Sequence, residues 1–231
     1  GGAIYLGDSV SGRQSALYLI GGALGITLYH ALFGFTGAYR RLISDGRGSA
    51  VRAQLIMLAV ASVIFAPLLS AGSAFGQPVG PALAPIGVSV MVGAFIFGIG
   101  MQLGGGCASG TLFTVGGGST RMTVTLIAFI AGSLAGSAHL PWWLGQPKIA
   151  SVSLYNEIGW PGGLALQLVF IAALALITIR IERKRHGSLE KVEKIAGPAD
   201  AWRRLLFGRW PLLWGAVALA LLNVTTLLVA G

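Results

Sequence analysis

The sequence predicts an all-α, polytopic membrane protein, and three observations support this fold class. Of the 231 residues, 55% are hydrophobic and only 10% are charged, whereas about a quarter of an ordinary soluble domain is charged. The mean hydropathy is +0.78. Six apolar stretches reach the roughly 18 residues that a helix needs to cross a bilayer. The lipid bilayer is therefore the first partner that the sequence predicts.

Length and flanking residues define the spans, because both faces of these stretches are apolar and periodicity cannot separate them. No Asp or Glu lies inside the spans, so the sequence does not support a carboxylate proton relay. We predict six membrane-spanning helices at about 15–35, 51–71, 82–103, 122–144, 162–180 and 211–230.

A glycine-rich region at 105–118 separates the third and fourth spans and is too short to cross a bilayer. It carries Cys107, the single cysteine of the sequence. Irregular backbone at membrane depth is tolerated where it is buried in protein or lines a cavity. We therefore predict a re-entrant loop that leads into a short helix.

The net charge of +9 is concentrated in two connections rather than spread as a nucleic-acid-binding surface. Residues 40–52 hold four arginines against Asp45, and residues 180–209 hold nine basic against four acidic residues. Basic loops face the cytoplasm in membrane proteins. The predicted location is the bacterial inner membrane, with 40–52 and 181–210 cytoplasmic and no nucleic-acid partner.

The order of these features predicts three segments. Residues 1–180 form a first transmembrane repeat, and 181–210 form a basic linker with an interfacial helix near Trp202–Trp210. Residues 211–231 begin a second repeat that the sequence does not complete, so we expect an incomplete chain. Inverted repeats with a site at their interface are common in transporters.

Cys107 is the leading candidate for contact with a solute. A neutral thiol can donate to an anion, and a helix N-terminus after it would stabilise the charge. The alternative is a buried cysteine that acts as a small hydrophobe. The candidate substrate-binding residues are Gly105, Gly106, Cys107, Ala108, Ser109, Gly110 and Thr111.

A second set of residues is predicted to line or gate the pathway. Phe33 and Phe35 close the first span, and Arg40 follows at the cytoplasmic boundary, where it could equally serve topology alone. His30 is a pathway candidate or a packing histidine, and Gln102 precedes the glycine run. Neither a catalytic base beside the thiol nor metal-site spacing is evident, so we expect no cofactor and no enzyme.

The run Gly-Gly-Cys-Ala-Ser-Gly-Thr-Leu at 105–112, with Phe-Thr-Gly-Ala-Tyr-Arg at 35–40, resembles the YeeE/YedE family of sulfur-transport membrane proteins. The resemblance implies an inverted-repeat transporter for thiosulfate or a related anion, with Cys107 as the central cysteine of the first repeat. One departure is Gly34, since the family often has Phe-Cys-Phe here.

Three functions follow as alternatives. The leading one is a transporter for a small sulfur-containing anion with a cysteine-lined path. The second is a membrane persulfide carrier, in which Cys107 accepts sulfane sulfur and passes it to a cytoplasmic acceptor protein. The third is a channel for a small neutral solute.

Overall fold

The fold is that of a computed structural model, which describes residues 11–74, 77–78, 80, 83, 85–190, 203 and 208–230. Within these residues, helices dominate and four two-residue strands form two short antiparallel pairs. The helices are α1 (Gly12–Ala31), α2 (Phe35–Ser44), α3 (Ser49–Ala71), α4 (Val88–Gly104), α5 (Ala108–Gly116), α6 (Thr120–Leu144), α7 (Leu154–Glu157), α8 (Gly159–His186) and α9 (Leu212–Ala230). The strands are β1 (Ser73–Ala74), β2 (Gln77–Pro78), β3 (Ile86–Gly87) and β4 (Lys148–Ile149).

Six helical stretches in the described chain are long and apolar enough to cross a membrane, which confirms the all-α polytopic class. Two of them are interrupted: α1 and α2 form one stretch over 12–44, and α4 and α5 form another over 88–116. The others are α3, α6, α8 and α9. The protein is therefore a multi-pass membrane protein.

The third and fifth spans differ from their predicted bounds. The third span begins at Val88, six residues after the predicted start, because Ile86 and Gly87 pair with β4. The fifth continues past 180 to His186 and ends at Gly187, whose φ of +70° stops the helix. The first six residues of the predicted linker, 181–186, therefore lie in α8. Of the rest of the linker, the structure describes 187–190, 203 and 208–210; the other residues, with most of the predicted interfacial helix, lie outside the described residues.

Backbone conformations of the left-handed region mark the breaks within the two interrupted spans. α1 ends at Leu32, a non-glycine residue with φ of +46°. Gly105 caps the end of α4 with a φ of +78°, a conformation that glycine adopts readily because it has no Cβ. The short helix predicted after the cysteine is confirmed as α5, and its re-entrant placement stays a prediction.

The core forms where α9 packs against both α1 and α3. Gly215 is buried on α9, and a Cβ added there would overlap the Cβ of Ala31 on α1. Ala216 and Leu219 complete this contact with Phe33. Small residues thus let the helix backbones approach closely, as in other membrane helix pairs.

An ionic cluster joins the loop before α3 to the end of α8. The fully buried Glu182 carboxylate accepts from Arg52 Nη1 at 2.7 Å and from Arg47 Nη1 at 3.3 Å. It also accepts the backbone N–H groups of Gly48 at 3.2 Å and Glu190 at 2.7 Å. The sequence prediction placed this carboxylate in the basic linker, whereas the structure places it inside α8.

Candidate functional site: the cysteine turn and its cavity

Cys107 caps the N-terminus of α5. Its Sγ accepts the backbone N–H of Gly110 at 3.4 Å and lies 3.3 Å from Ser109 Oγ. Its carbonyl accepts the N–H of Thr111 at 2.8 Å, which starts the helical ladder. The first N–H groups of a helix have no partners within the helix and favour a nearby anion. Cys107 is half-buried and is not part of a disulfide.

A cavity of about 740 Å³ lies beside this turn, between α1, α3, α5 and α9. Its lining is mostly glycine, aliphatic and aromatic, which suits a site at membrane depth. The polar side chains that reach it are Tyr29 and His30 from α1, Ser109 from α5 and Asn223 from α9. The cavity therefore offers a few hydrogen-bonding groups within an apolar shell, the usual composition of a small-molecule site.

Of the predicted substrate-binding set, Ser109 lines the cavity directly. Cys107 lies one contact behind it, because the Ser109 hydroxyl is within hydrogen-bonding distance of the thiol. Gly106 faces the Thr111 side chain so closely that an added Cβ would come within 3.2 Å of its Oγ1. Gly110 is buried beneath the thiol. Gly105 and Ala108 lie at the turn and the start of α5.

Three of the predicted pathway residues meet at the same cavity. His30, Phe33 and Phe35 all line it. The two phenyl rings pack edge to face, with 6.4 Å between their centroids. His30 also holds the segment before α9, because its Nδ1 is 2.9 Å from the Gly208 carbonyl oxygen and its ring stacks on Trp210 at 5.7 Å. His30 therefore both packs against the segment before α9 and lines the cavity.

The other two predicted pathway residues lie outside the described cavity lining. Arg40 is exposed on α2. Gln102 borders a separate shallow groove on the surface of α4, with Phe95 and Leu103. The structure therefore separates both from the thiol's cavity.

Gly34 lies where α2 begins, between the two cavity-lining phenylalanines. Its carbonyl accepts from Gln54 Nε2 of α3 at 3.2 Å. Its φ of −113° is accessible to any residue, and a Cβ added here would have no heavy atom of the described chain within 4 Å. A cysteine would therefore fit at this position without distorting the helix break.

Comparison with known proteins places the chain in a family. A family model described as Sulphur transport matches residues 30–231, which is most of the chain. The chain belongs to this sulphur transport family. Membership favours a transporter over an enzyme, and it agrees with the resemblance carried by the cysteine motif.

Curated relatives carry transporter names. The chain is 31% identical over 128 residues to the "Thiosulfate transporter TsuA" of Spirochaeta thermophila, covering 54% of this chain and 37% of that protein. It is 30% identical over 166 residues to TsuA of Escherichia coli, covering 72% and 46%. It is 25% identical over 172 residues to the "Probable transporter YedE" of Salmonella typhimurium, covering 72% and 40%. The chain thus spans less than half the length of these relatives.

Two polar residues of the cavity were missed by sequence reasoning. Asn223 lies well inside α9, where an amide in a mostly apolar span was the available signal. Tyr29 was hidden because aromatic residues are common in spans. Within the described residues, no group of three or more His, Cys, Asp or Glu side chains could hold a metal ion.

Proposed function

We propose that this protein transports thiosulfate or a related small sulfur-containing anion across the bacterial inner membrane. The observation that carries the proposal is the cavity beside the cysteine turn, reached by Ser109 and lined by His30, Phe33 and Phe35. Family membership and the names of the thiosulfate-transporting relatives support the substrate class. The membrane location and the cysteine-lined path are parts of the same proposal.

The chemistry of the turn suits an anion in an apolar setting. Moving a bare charge into a low-dielectric interior costs tens of kcal/mol unless it is compensated. The start of α5 offers free backbone N–H groups and the positive end of a helix dipole. Ser109 adds a hydroxyl donor, and a neutral Cys107 thiol donates without adding negative charge. Residues 105–111 therefore form the substrate cradle in this proposal.

The remaining predicted residues take positions along the path. Phe33 and Phe35 gate the cavity, His30 borders it, and Arg40 and Gln102 serve approach or exit away from the cavity. Residues 40–52 and 181–210 face the cytoplasm by charge. In this proposal 1–180 forms the first repeat, 181–210 the linker and 211–231 the start of a second repeat.

Uptake of radiolabelled thiosulfate by cells that express the protein tests the proposal. Cys107→Ala is expected to lower uptake at least tenfold at equal membrane abundance, because it removes the thiol donor. Ser137→Ala is the matched control, since Ser137 is exposed on α6 and, among the described residues, its hydroxyl bonds only to the Ser133 carbonyl. Uptake by Cys107→Ala equal to that of the control would contradict the cysteine-lined path.

Mass spectrometry of Cys107 separates transport from sulfur carriage. Conduction predicts an unmodified thiol after exposure to thiosulfate. If the thiolate attacks the terminal sulfur of thiosulfate, the S–S bond breaks and sulfite leaves. A stable adduct heavier by one sulfur atom, lost on adding a cytoplasmic acceptor protein, would therefore support the persulfide carrier instead. Flux that is insensitive to thiol-blocking reagents would support the neutral-solute channel.

A further inference from the structure

Asn223 places a primary amide on the α9 wall of the cavity, within a mostly apolar helix. The helix runs from Leu212 to Ala230, so Asn223 lies well inside it and somewhat nearer its C-terminal end. Polar side chains at this depth are costly in lipid unless another group satisfies them. The amide of Asn223 therefore needs hydrogen-bonding partners at this depth.

Among the described residues, the hydrogen bonding of Asn223 leaves part of the amide free. Its Nδ2 donates one hydrogen to the Leu219 carbonyl of the same helix at 2.7 Å. An amide carries two N–H donors and one carbonyl acceptor, and no described residue of another helix pairs with this one. A residue that joined two helices would bond across their interface. Asn223 is exposed and lines the cavity, so a ligand bound there can reach the rest of its amide.

A hydroxyl, with a thiol behind it, lies on another wall of the same cavity. α5 contributes Ser109, with the Cys107 thiol 3.3 Å behind the hydroxyl. A thio-oxyanion has a soft terminal sulfur at one end and hard oxygens at the other. The cysteine sulfur is soft and polarisable and its S–H is a weak donor, whereas an amide N–H suits oxygen. Two different donors on two walls would therefore orient such an anion.

We propose that Asn223 is a substrate-binding residue that hydrogen-bonds the oxygen end of the anion while the Cys107 side receives its sulfur end. This assignment rests on the proposed transport function. A neutral amide binds an oxyanion without the strong attraction of a lysine or arginine. Conduction needs such a balance, because a site must bind its ion and then release it.

The concentration dependence of thiosulfate uptake tests the assignment with three variants. Asn223→Leu removes the amide at similar volume and is expected to raise the half-saturating thiosulfate concentration about tenfold to a hundredfold, the effect of losing a hydrogen bond to a charged group. Asn223→Gln keeps the amide in a cavity with room for one more methylene and should stay within about threefold of wild type. Both expectations assume equal membrane abundance.

Thr225→Val is the matched control on the same helix. Thr225 donates to the Leu221 carbonyl at 2.9 Å, as Asn223 does to Leu219, but it lies outside the described cavity lining. It should transport like wild type. If Asn223→Leu also matches wild type while Cys107→Ala fails, the assignment is overturned and the transport proposal stands. If the wild type shows no thiosulfate uptake, the proposed function itself fails.

Discussion

Replacing Glu182 with glutamine should destabilise the fold more than any other single loss of charge at this end of the molecule. The carboxylate is 0% exposed and accepts four donors from three segments of the chain. Glutamine keeps the size but removes the charge. It also turns an N–H group toward donors. Arg52, whose side chain is only 17% exposed, then loses its counter-charge.

The size of the effect follows from burial. Removing one partner of a buried ion pair costs about 3–5 kcal/mol, since the other charge stays uncompensated. For a chain of this length, each kcal/mol shifts the melting temperature by roughly 2–4 °C. The expected fall for Glu182→Gln is therefore roughly 6–20 °C.

Thermal unfolding of the detergent-solubilised protein at neutral pH measures this fall. Glu190→Gln is the matched control, because its pair with Arg41 at 3.1 Å is solvent-exposed, with side chains 36% and 46% accessible. Exposed pairs contribute at most about 1 kcal/mol. The control should therefore melt no more than about 4 °C below wild type. Equal melting temperatures for Glu182→Gln and wild type would refute the argument from burial.

Three further predictions concern other contacts. Hydrogen bonding from Ser49, with Arg41 adding to it, lowers the pKa of Glu190. The stabilisation that this carboxylate contributes is present above its unfolded pKa of about 4.3 and is lost as pH falls through the lowered folded pKa. The difference in melting temperature between wild type and Glu190→Gln should therefore vanish in acid. A difference that persists there would contradict this pairing. Gly215→Val should cost about 1–3 kcal/mol by overpacking against α1, seen as a lower melting temperature. Gly34→Cys should change stability by less than about 0.5 kcal/mol and add a second thiol that maleimide labels; an unfolded product would contradict the open space found there.

Much of the fold was predictable because a bilayer imposes length and composition on every span. The six spans and the short helix after the cysteine follow from apolar length and from glycine placement. The start of α4 was not predictable, because β3 pairs with β4, which lies some sixty residues further along the chain. Glu182, in the extension of α8, likewise pairs with Arg47 and Arg52, which lie far away in the sequence.

The candidate site was predictable only in part, because a local sequence pattern does not show which helices pack against each other. The motif around Cys107 identified the turn, and aromatic placement identified Phe33 and Phe35. No local pattern showed that α9 would bring Asn223 to the same cavity. Arg40 and Gln102 lie close in sequence to the other predicted residues, yet neither belongs to the cavity lining.

Alkylation of Cys107 tests the central claim most directly, since this is the one cysteine of the sequence and a single site reports the result. The rate of maleimide labelling is measured by mass spectrometry on the membrane-embedded protein, with and without thiosulfate, and with sulfate as the anion control. If the anion is bound beside the thiol, thiosulfate slows labelling severalfold while equal sulfate has a much smaller effect. Identical labelling rates under all three conditions would contradict the assignment of this turn as the substrate site.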